Sequence, residues 1–493
     1  MEHTIFLLPE NKEIKAESGT PLLDVLASNG YFISAPCGGN GTCGKCKVKL
    51  LQGEVDGTVK DEKGYVLSCK AKIKEDISVF VSVENSVINQ PTFRQKTDKI
   101  GMILDIGTTT LVACIVDLTT GEKRQSVSCL NPQGSYGADV LTRMQACNAG
   151  KLPLLQKLIL DKTNDFIKAL SLKSEVDELF VVANPTMAHL FCGENPTSIG
   201  VYPFTPVFVK KREMDGACMG LLAKKVVVLP SASGYIGGDV LSGVLSCGMY
   251  QNKKTQLLID VGTNGEIVLS RDGQLYATST SAGPALEGAC IECGIGGVAG
   301  AIDSVWLEKG EIRFSTIDGQ AVTGVCGSGL IDAVALLLQE NLIDENGTFN
   351  EDMETPISNR LIGDKFYLTD TVYLSQQDIR QFQLAKSAIR AGIDTLLSEC
   401  EVDEREISTL YVAGGLGYFM NVKNAVKVGL FSGNLENRIK TVGNSALDGA
   451  RLCLLDKTKE KELERIAEEV KIVELAFSKT FERLYVKNMS FEE

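Results

Sequence analysis

Two stretches of this chain spell the same structural unit, and that repetition limits the folds open to it. MILDIGTTTLVACIVDLTTGEKRQSVSC begins at Met102, and LLIDVGTNGEIVLSRDGQLYATST begins at Leu257. Each reads as strand, tight glycine turn, strand, second turn, strand. Asp105 and Asp260 occupy the same place in the unit, 155 positions apart. A second echo follows each unit. LFVVANPTMAHLFCG from Leu179 and LYVAGGLGYFMN from Leu410 run from a β-branched strand through a small-residue turn into a helix. The duplication predicts two similar α/β lobes facing each other across a cleft. They span roughly 100–253 and 254–480 of a segment covering 100–493.

Ahead of this segment, residues 1–85 hold four cysteines in glycine-rich surroundings. SAPCGGNGTCGKCKV places Cys37, Cys43 and Cys46 in one loop, and Cys69 follows in YVLSCKA, giving C-x5-C-x2-C-x22-C. Thiolate sulfur is the ligand of iron–sulfur clusters, with four per 2Fe-2S centre. The glycines at 38, 39, 41 and 44 let the backbone wrap a cluster and aim N–H groups at sulfur. TIFLL and EIKAE read as a hairpin, and TPLLDVLASNG as a helix with Thr20 at its N-cap and Gly30 just past its end. KCKVKLLQGEV and ISVFVSV read as later strands. A structural zinc site also takes four cysteines, usually as two short pairs, whereas here three crowd one loop. The module resembles plant-type 2Fe-2S ferredoxins, which implies a β-grasp fold with Cys37, Cys43, Cys46 and Cys69 as metal ligands. Its first gap is x5 where x4 is usual. Residues 86–99, in ENSVINQPTFRQKTD and just beyond, are polar and carry Pro91, so they read as a linker.

Composition narrows the function classes. The net charge of −13 argues against nucleic acid or an anionic membrane as partner. No apolar run approaches the roughly 18 residues that span a bilayer. His3 and His189 are the only histidines, which excludes a His-rich metal site and disfavours a Ser-His-Asp triad. Fifteen cysteines, an odd count, with no basic stretch ahead of the first apolar residues, read as cytoplasmic thiols plus a thiolate-held cofactor.

DIGTTT (105–110) and DVGTNG (260–265) each set an aspartate at a strand end, then a glycine, then hydroxyls. Gly107 and Gly262 let N–H groups approach a phosphate, and Thr108, Thr109 and Thr263 can donate to its oxygens. Gly265 closes the second turn. The aspartates require Mg²⁺ or water between themselves and phosphate. Asp260 is the candidate for orienting water or Mg²⁺, and Asp105 for holding the metal through water. Two look-alikes fail. GNGTCGKC has Cys46 where a P-loop has its Ser/Thr, and GIGGVA (294–299) follows no apolar strand.

The paired loops resemble the actin, Hsp70 and sugar-kinase (ASKHA) superfamily of ATP-binding proteins. On that resemblance VAGGLG (412–417) is the adenosine motif, with Gly414, Gly415 and Gly417 under the nucleoside ahead of a helix. SGYIGGDVLSGVLSCG (233–248) and CGSGLIDAVALLLQ (326–339) are the first and second connecting helices. Asp239 then sits near the metal or the attacking water, and an N-cap is its plainer reading. The fold class is multidomain α/β, a β-grasp 2Fe-2S ferredoxin-like domain followed by a duplicated actin/Hsp70-like ATPase.

As a whole the chain resembles the reductive activators of corrinoid proteins. The supporting motifs are the cysteine set, Asp105, Asp260, SAGPALEGACIECG (281–294), GSGLIDAV (327–334) and the terminal VELAFSKTFERLYVKNM. The resemblance implies a 2Fe-2S cluster, ATP with Mg²⁺, a corrinoid methyl-carrier protein as partner and an external low-potential electron donor. It implies ATP-assisted transfer of one electron to Co(II) corrinoid, restoring Co(I). It leaves a homodimer open. Longer members carry a middle domain after the ferredoxin, where only about 15 residues lie here. Competing readings are an activator of another low-potential enzyme of the 2-hydroxyacyl-CoA dehydratase type, a small-molecule kinase, and a nucleotide-gated binding protein with a structural cluster. Cys290 and Cys293 form a C-x2-C, read more plainly as buried residues of a packed turn. Cysteines 114, 129, 147, 192, 218, 247, 326, 400 and 453 read as core thiols, and His189 as a satisfied interior histidine.

Overall fold

The amino-terminal hairpin forms as its alternation predicts. Glu2–Leu8 pairs antiparallel with Lys12–Glu17, turning Ile5 and Leu7 inward while Phe6 stays outside. In this computed structural model, residues 1–491 are described except 34, 36, 82–86, 90–98, 171–174, 252 and 419. The first sheet runs Lys12–Glu17, Glu2–Leu8, Ile77–Phe80, Lys47–Gln52, Tyr65–Leu67. Its inner face buries Ile5, Leu7, Val48, Leu50, Ile77 and Val79 against Leu22, Val25 and Leu26 of the helix Leu22–Ser28. That is a β-grasp arrangement. The helix starts one residue later than Thr20 would set. Pro21 precedes it, with no side-chain cap, because proline's fixed φ already suits a helix start. Gly30 follows its end at φ +87°.

The duplication holds for six strands of each sheet, the first sheet carrying one strand more. One sheet runs Arg212–Asp215, Ala223–Val228, Val176–Ala183, Ile100–Ile106, Thr110–Asp117, Lys123–Leu130, Val87–Asn89. The other runs Ile439–Gly443, Thr409–Ala413, Gln256–Val261, Gly265–Arg271, Gln274–Thr280, Lys471–Ile472. In both, a three-stranded meander starts beside the strand that follows it after a long crossover. Val87–Asn89 lies inside the stretch read as a linker and pairs with Ser126–Ser128. The rest of that stretch, apart from Lys99, lies outside the described residues.

The chain divides into two compact units. The first holds Met1–Leu179, Thr186–Phe208 and Met214–Val226, and the second Phe180–Pro185, Val209–Glu213 and Val227–Glu493. In the second, the connecting helices appear as Gly238–Cys247 and Gly327–Gln339. Gly238–Cys247 packs closely on Ser445–Leu455, where a side chain at Gly449 would meet the Ser242 carbonyl. After Thr409–Ala413 the Gly pair opens a 3₁₀ turn, Gly415–Tyr418, and the helix waits until Val422–Lys427. The expected immediate helix is therefore displaced, since Gly414 at φ +87° turns the chain away from helical geometry. Among the described residues no helix is long and apolar enough to cross a membrane.

His189 accepts from the Val207 N–H at 3.0 Å and stacks on Phe208, as a satisfied interior histidine does. The reading of all remaining cysteines as core thiols needs correction. Cys218 is exposed, and Cys129, Cys192 and Cys247 are half-buried. Cys290 is exposed too, so the 290–293 pair is not a buried packed turn.

Candidate functional site

The first unit presents the cysteines as two pairs. The Cys37 and Cys43 sulfurs lie 3.3 Å apart, and those of Cys46 and Cys69 3.2 Å apart. Gly38, Gly39, Gly41 and Gly44 all adopt positive φ, so the loop folds back on itself as only glycine readily allows. Burial opposes a charged Cys37, but the Cys43 and Thr42 N–H groups point at its sulfur and bring its pKa down to about 6. Burial and the neighbouring Cys37 push Cys43 up. Burial and the Cys46 thiol push Cys69 up to about 12. Ser68 locks the fourth ligand in place, donating its N–H and hydroxyl to the Cys46 carbonyl at 2.8 and 2.9 Å. Two sulfurs per metal is the division a binuclear 2Fe-2S centre needs, where zinc would want all four around one point. Among the described residues no such single-ion group of three or more ligands occurs. The donor set fits the cluster.

The same unit carries the DIGTTT loop. Asp105 is the penultimate residue of Ile100–Ile106, and the Gly107 N–H closes the turn on the Thr110 carbonyl at 3.0 Å. Thr108 is buried and Thr109 half-buried. Two residues absent from the motif reading hold this loop. Asn131 Nδ2 donates to the Gly107 carbonyl at 2.8 Å, and the buried Arg143 guanidinium donates to the Thr108 carbonyl. Neither has a local sequence signal.

In the second unit, Asp260 sits in Gln256–Val261 directly across from Glu266. Burial first, then the charges of Asp239, Asp260 and Glu287, raise the Glu266 pKa well above the carboxylate range. Asp239, the second residue of Gly238–Cys247, is no N-cap, since Gly237 holds that place. Its Oδ1 accepts from the Val240 N–H at 2.8 Å, and burial pushes its pKa up to about 6. Thr263 donates its hydroxyl to Glu287, so its proton is already committed in this structure. Glu287 was missed although it lies in SAGPALEGACIECG, and Glu266 although it directly follows DVGTNG. Strand period places Glu266 opposite Asp260, but only pairing reveals it. Glu266 thus lies within the field of three other carboxylates.

Gly414 lies against Asp260, where a Cβ would stand 2.6 Å from Oδ1. Its N–H donates to the Gly443 carbonyl at 3.1 Å. Gly415 faces open space, and Gly417 lies in the same 3₁₀ turn. Gly414→Ala is expected to destabilise the protein by about 1–3 kcal/mol, through positive φ and the clash together. Denaturant unfolding checks this, and an unchanged midpoint counts against the tight approach.

Comparison with known proteins follows this geometry. A family model described as the C-terminal domain of RACo, the ASKHA domain, matches residues 254–493. The RACo middle region matches 100–252, and a 2Fe-2S iron-sulfur cluster binding domain matches 5–74. A middle region is therefore present, in the stretch read above as the first lobe. The corrinoid activation enzyme RamQ of Eubacterium limosum is 31% identical over 443 residues, covering 85% of this chain and 74% of that protein. The Co(II) methylated amine-specific corrinoid protein reductase of Methanosarcina barkeri is 24% identical over 438 residues, covering 79% and 77%. A solved structure of a reductive activator for corrinoid, iron-sulfur protein superposes with a TM-score of 0.75 at 26% identity, covering 99% of this chain and 98% of that one.

Proposed function

This chain belongs to the family of reductive activators of corrinoid proteins, and on that footing we propose that it reactivates a corrinoid methyl-carrier protein by ATP-dependent one-electron reduction of Co(II) to Co(I). The observation that carries this reading is the presence, in one compact unit, of a paired thiolate set and a phosphate loop. A 2Fe-2S cluster of the plant type supplies a one-electron carrier near −400 mV. Cys37, Cys43, Cys46 and Cys69 hold it, and the Thr42, Cys43 and Lys45 N–H groups stabilise the negative sulfurs. Gly107, Thr108, Thr109, Gly262 and Gly265 bind the phosphates, and Gly414, Gly415 and Gly417 underlie the adenosine. Asp260, with Asp105 and Asp239, positions Mg²⁺ and the attacking water. Thr263, Glu266 and Glu287 orient that set.

Because the acceptor is harder to reduce than the carrier, binding energy must favour the reducible state, and nucleotide supplies it by differential affinity. The domain assignment is 1–85 for the cluster, 86–99 for the linker and 100–493 for the ATPase. An external low-potential donor would supply the electron that the group held by these four cysteines would pass on. Fifteen cysteines outside any disulfide suit a reducing, cytoplasmic location.

Anaerobic spectroscopy tests the reading. Protein reconstituted with iron and sulfide, mixed with a Co(II) corrinoid protein from the same source and a low-potential reductant, is expected to develop the Co(I) absorbance only with ATP. A rate independent of ATP refutes the coupling, and no Co(I) with any native corrinoid partner refutes the acceptor.

A further inference from the structure

The DIGTTT loop and the cysteine loop are physically joined through one segment, 131–143, whose Asn131, Gln133, Ser135, Tyr136 and Arg143 are buried. A peptide group is a rigid plane with its N–H and C=O pointing opposite ways. The plane that carries the Thr108 N–H carries the Gly107 carbonyl, which Asn131 Nδ2 holds at 2.8 Å. The plane that carries the Thr109 N–H carries the Thr108 carbonyl, which Arg143 holds. The next plane's carbonyl, on Thr109, accepts from the Asn131 N–H at 2.7 Å. Three consecutive planes are thus held by their carbonyls, on the side away from where their N–H groups would meet a phosphate. Any rotation that aims those N–H groups at a ligand moves these carbonyls.

Asn131 and Arg143 also frame the next element. Asn131 Oδ1 accepts from the Gln133 N–H at 3.0 Å, capping the 3₁₀ turn Pro132–Tyr136. Arg143 donates to Gln133 Oε1 at 3.3 Å and to the Gly137 carbonyl at 3.0 Å, so it grips that turn at both ends. Arg143 is 1% exposed. A guanidinium so buried cannot relax without disturbing the groups it holds.

The turn in turn touches the cluster loop. The Gly134 carbonyl accepts from the Ala35 N–H at 3.3 Å, and Ser135 Oγ donates to the Ile33 carbonyl at 2.8 Å. Gly38, next to Cys37, lies so close that a Cβ would stand 3.2 Å from the Tyr136 carbonyl. Lys151 fastens the contact, 2.9 Å from Asp24 and 4.6 Å from the Tyr136 ring centre.

We propose that segment 131–143, with Arg143 and Asn131 as its positioning residues, transmits nucleotide occupancy of the 105–110 loop to the cluster-binding loop 33–46. The proposal rests on the nucleotide reading of that loop. The docking contact is its last link, and Lys151 and Asp24 can be changed there without touching cluster or phosphate residues.

The test is hydrogen–deuterium exchange of the anaerobically reconstituted full chain, with and without Mg²⁺ and a non-hydrolysable ATP analogue. The expected result is protection of residues 104–115 by nucleotide, together with a change of at least about threefold in exchange at 31–46. Lys151→Glu and Asp24→Lys are each expected to abolish the change at 31–46 while keeping it at 104–115. The exchanged pair, Asp24→Lys with Lys151→Glu, is expected to restore it. Cluster absorbance and the reduction midpoint, with and without nucleotide, follow the same pattern. Protection at 104–115 with none at 31–46 overturns the coupling and leaves the nucleotide reading standing. No protection at either place overturns both. Single variants that respond like wild type, or a pair that fails to restore the response, also overturn the coupling.

Discussion

Cys43→Ala is expected to leave a protein that binds ATP and reduces no corrinoid. Cys43 is one of two sulfurs 3.3 Å apart, and its partner Cys37 is already held toward the thiolate by N–H groups. Removing one sulfur leaves that metal position one ligand short, while Cys46 and Cys69 remain paired. The loss should exceed the roughly 10- to 100-fold effects seen when only supporting groups around a metal are changed. Neither DIGTTT (105–110) nor DVGTNG (260–265) contains a cluster cysteine, so ATP binding should persist. Absorbance of the reconstituted cluster, Co(I) formation and phosphate release separate these outcomes. Wild-type Co(I) formation by Cys43→Ala would show that electrons bypass this loop.

Asp239→Asn is expected to stabilise the protein and to impair its ATP-dependent step. Burial raises the Asp239 pKa from 3.8 to about 6. A carboxyl whose pKa is raised on folding costs the fold nothing while protonated and destabilises it once it ionises. Below the ordinary aspartate range it is neutral folded and unfolded alike, and the substitution changes little. As pH rises through about 4 to 6 the unfolded chain ionises first, and above that the folded chain carries the full cost. At about 1.4 kcal/mol per unit, and reduced because Asp239 keeps some contact with water, the gain for asparagine is about 2 kcal/mol at pH 7. Asparagine keeps an oxygen for the Val240 N–H, so the helix start survives. Urea unfolding at pH 4 and pH 7 without nucleotide should show the gain only at pH 7. ATP hydrolysis should fall by about 10²-fold, the scale of removing one preorganised charge or dipole from a site. Equal stability at pH 7 would mean that the carboxylate is solvated after all. Stability gained by removing a buried charge is what a functional site gives up.

Both predictions use residues that the chain announces by local pattern, yet their environments come from elsewhere. C-x5-C-x2-C-x22-C, with its glycines, names the four ligands because cluster binding needs thiolates in one tight loop, and adjacency is visible in one dimension. The two D-[IV]-G-T turns announce the duplicated meander because strand alternation is also local, and in both sheets the meander's first strand lies beside a later crossover strand. Helix limits were less legible. Pro21 displaces Thr20 at one helix start, and Gly414 delays the helix after the adenosine motif.

What the amino-acid order determined alone was the grouping of four cysteines, the duplicated α/β architecture and the two D-[IV]-G-T turns. Each depends on residues within a few positions of one another. Tertiary structure decided which distant groups share a field. Burial, then the charges of Asp239, Asp260 and Glu287, raise the affinity of Glu266 for a proton. Tertiary structure also carried Arg143 to the Thr108 carbonyl, 35 residues away. Burial and charge act through space, so no periodicity along the chain could have recorded them.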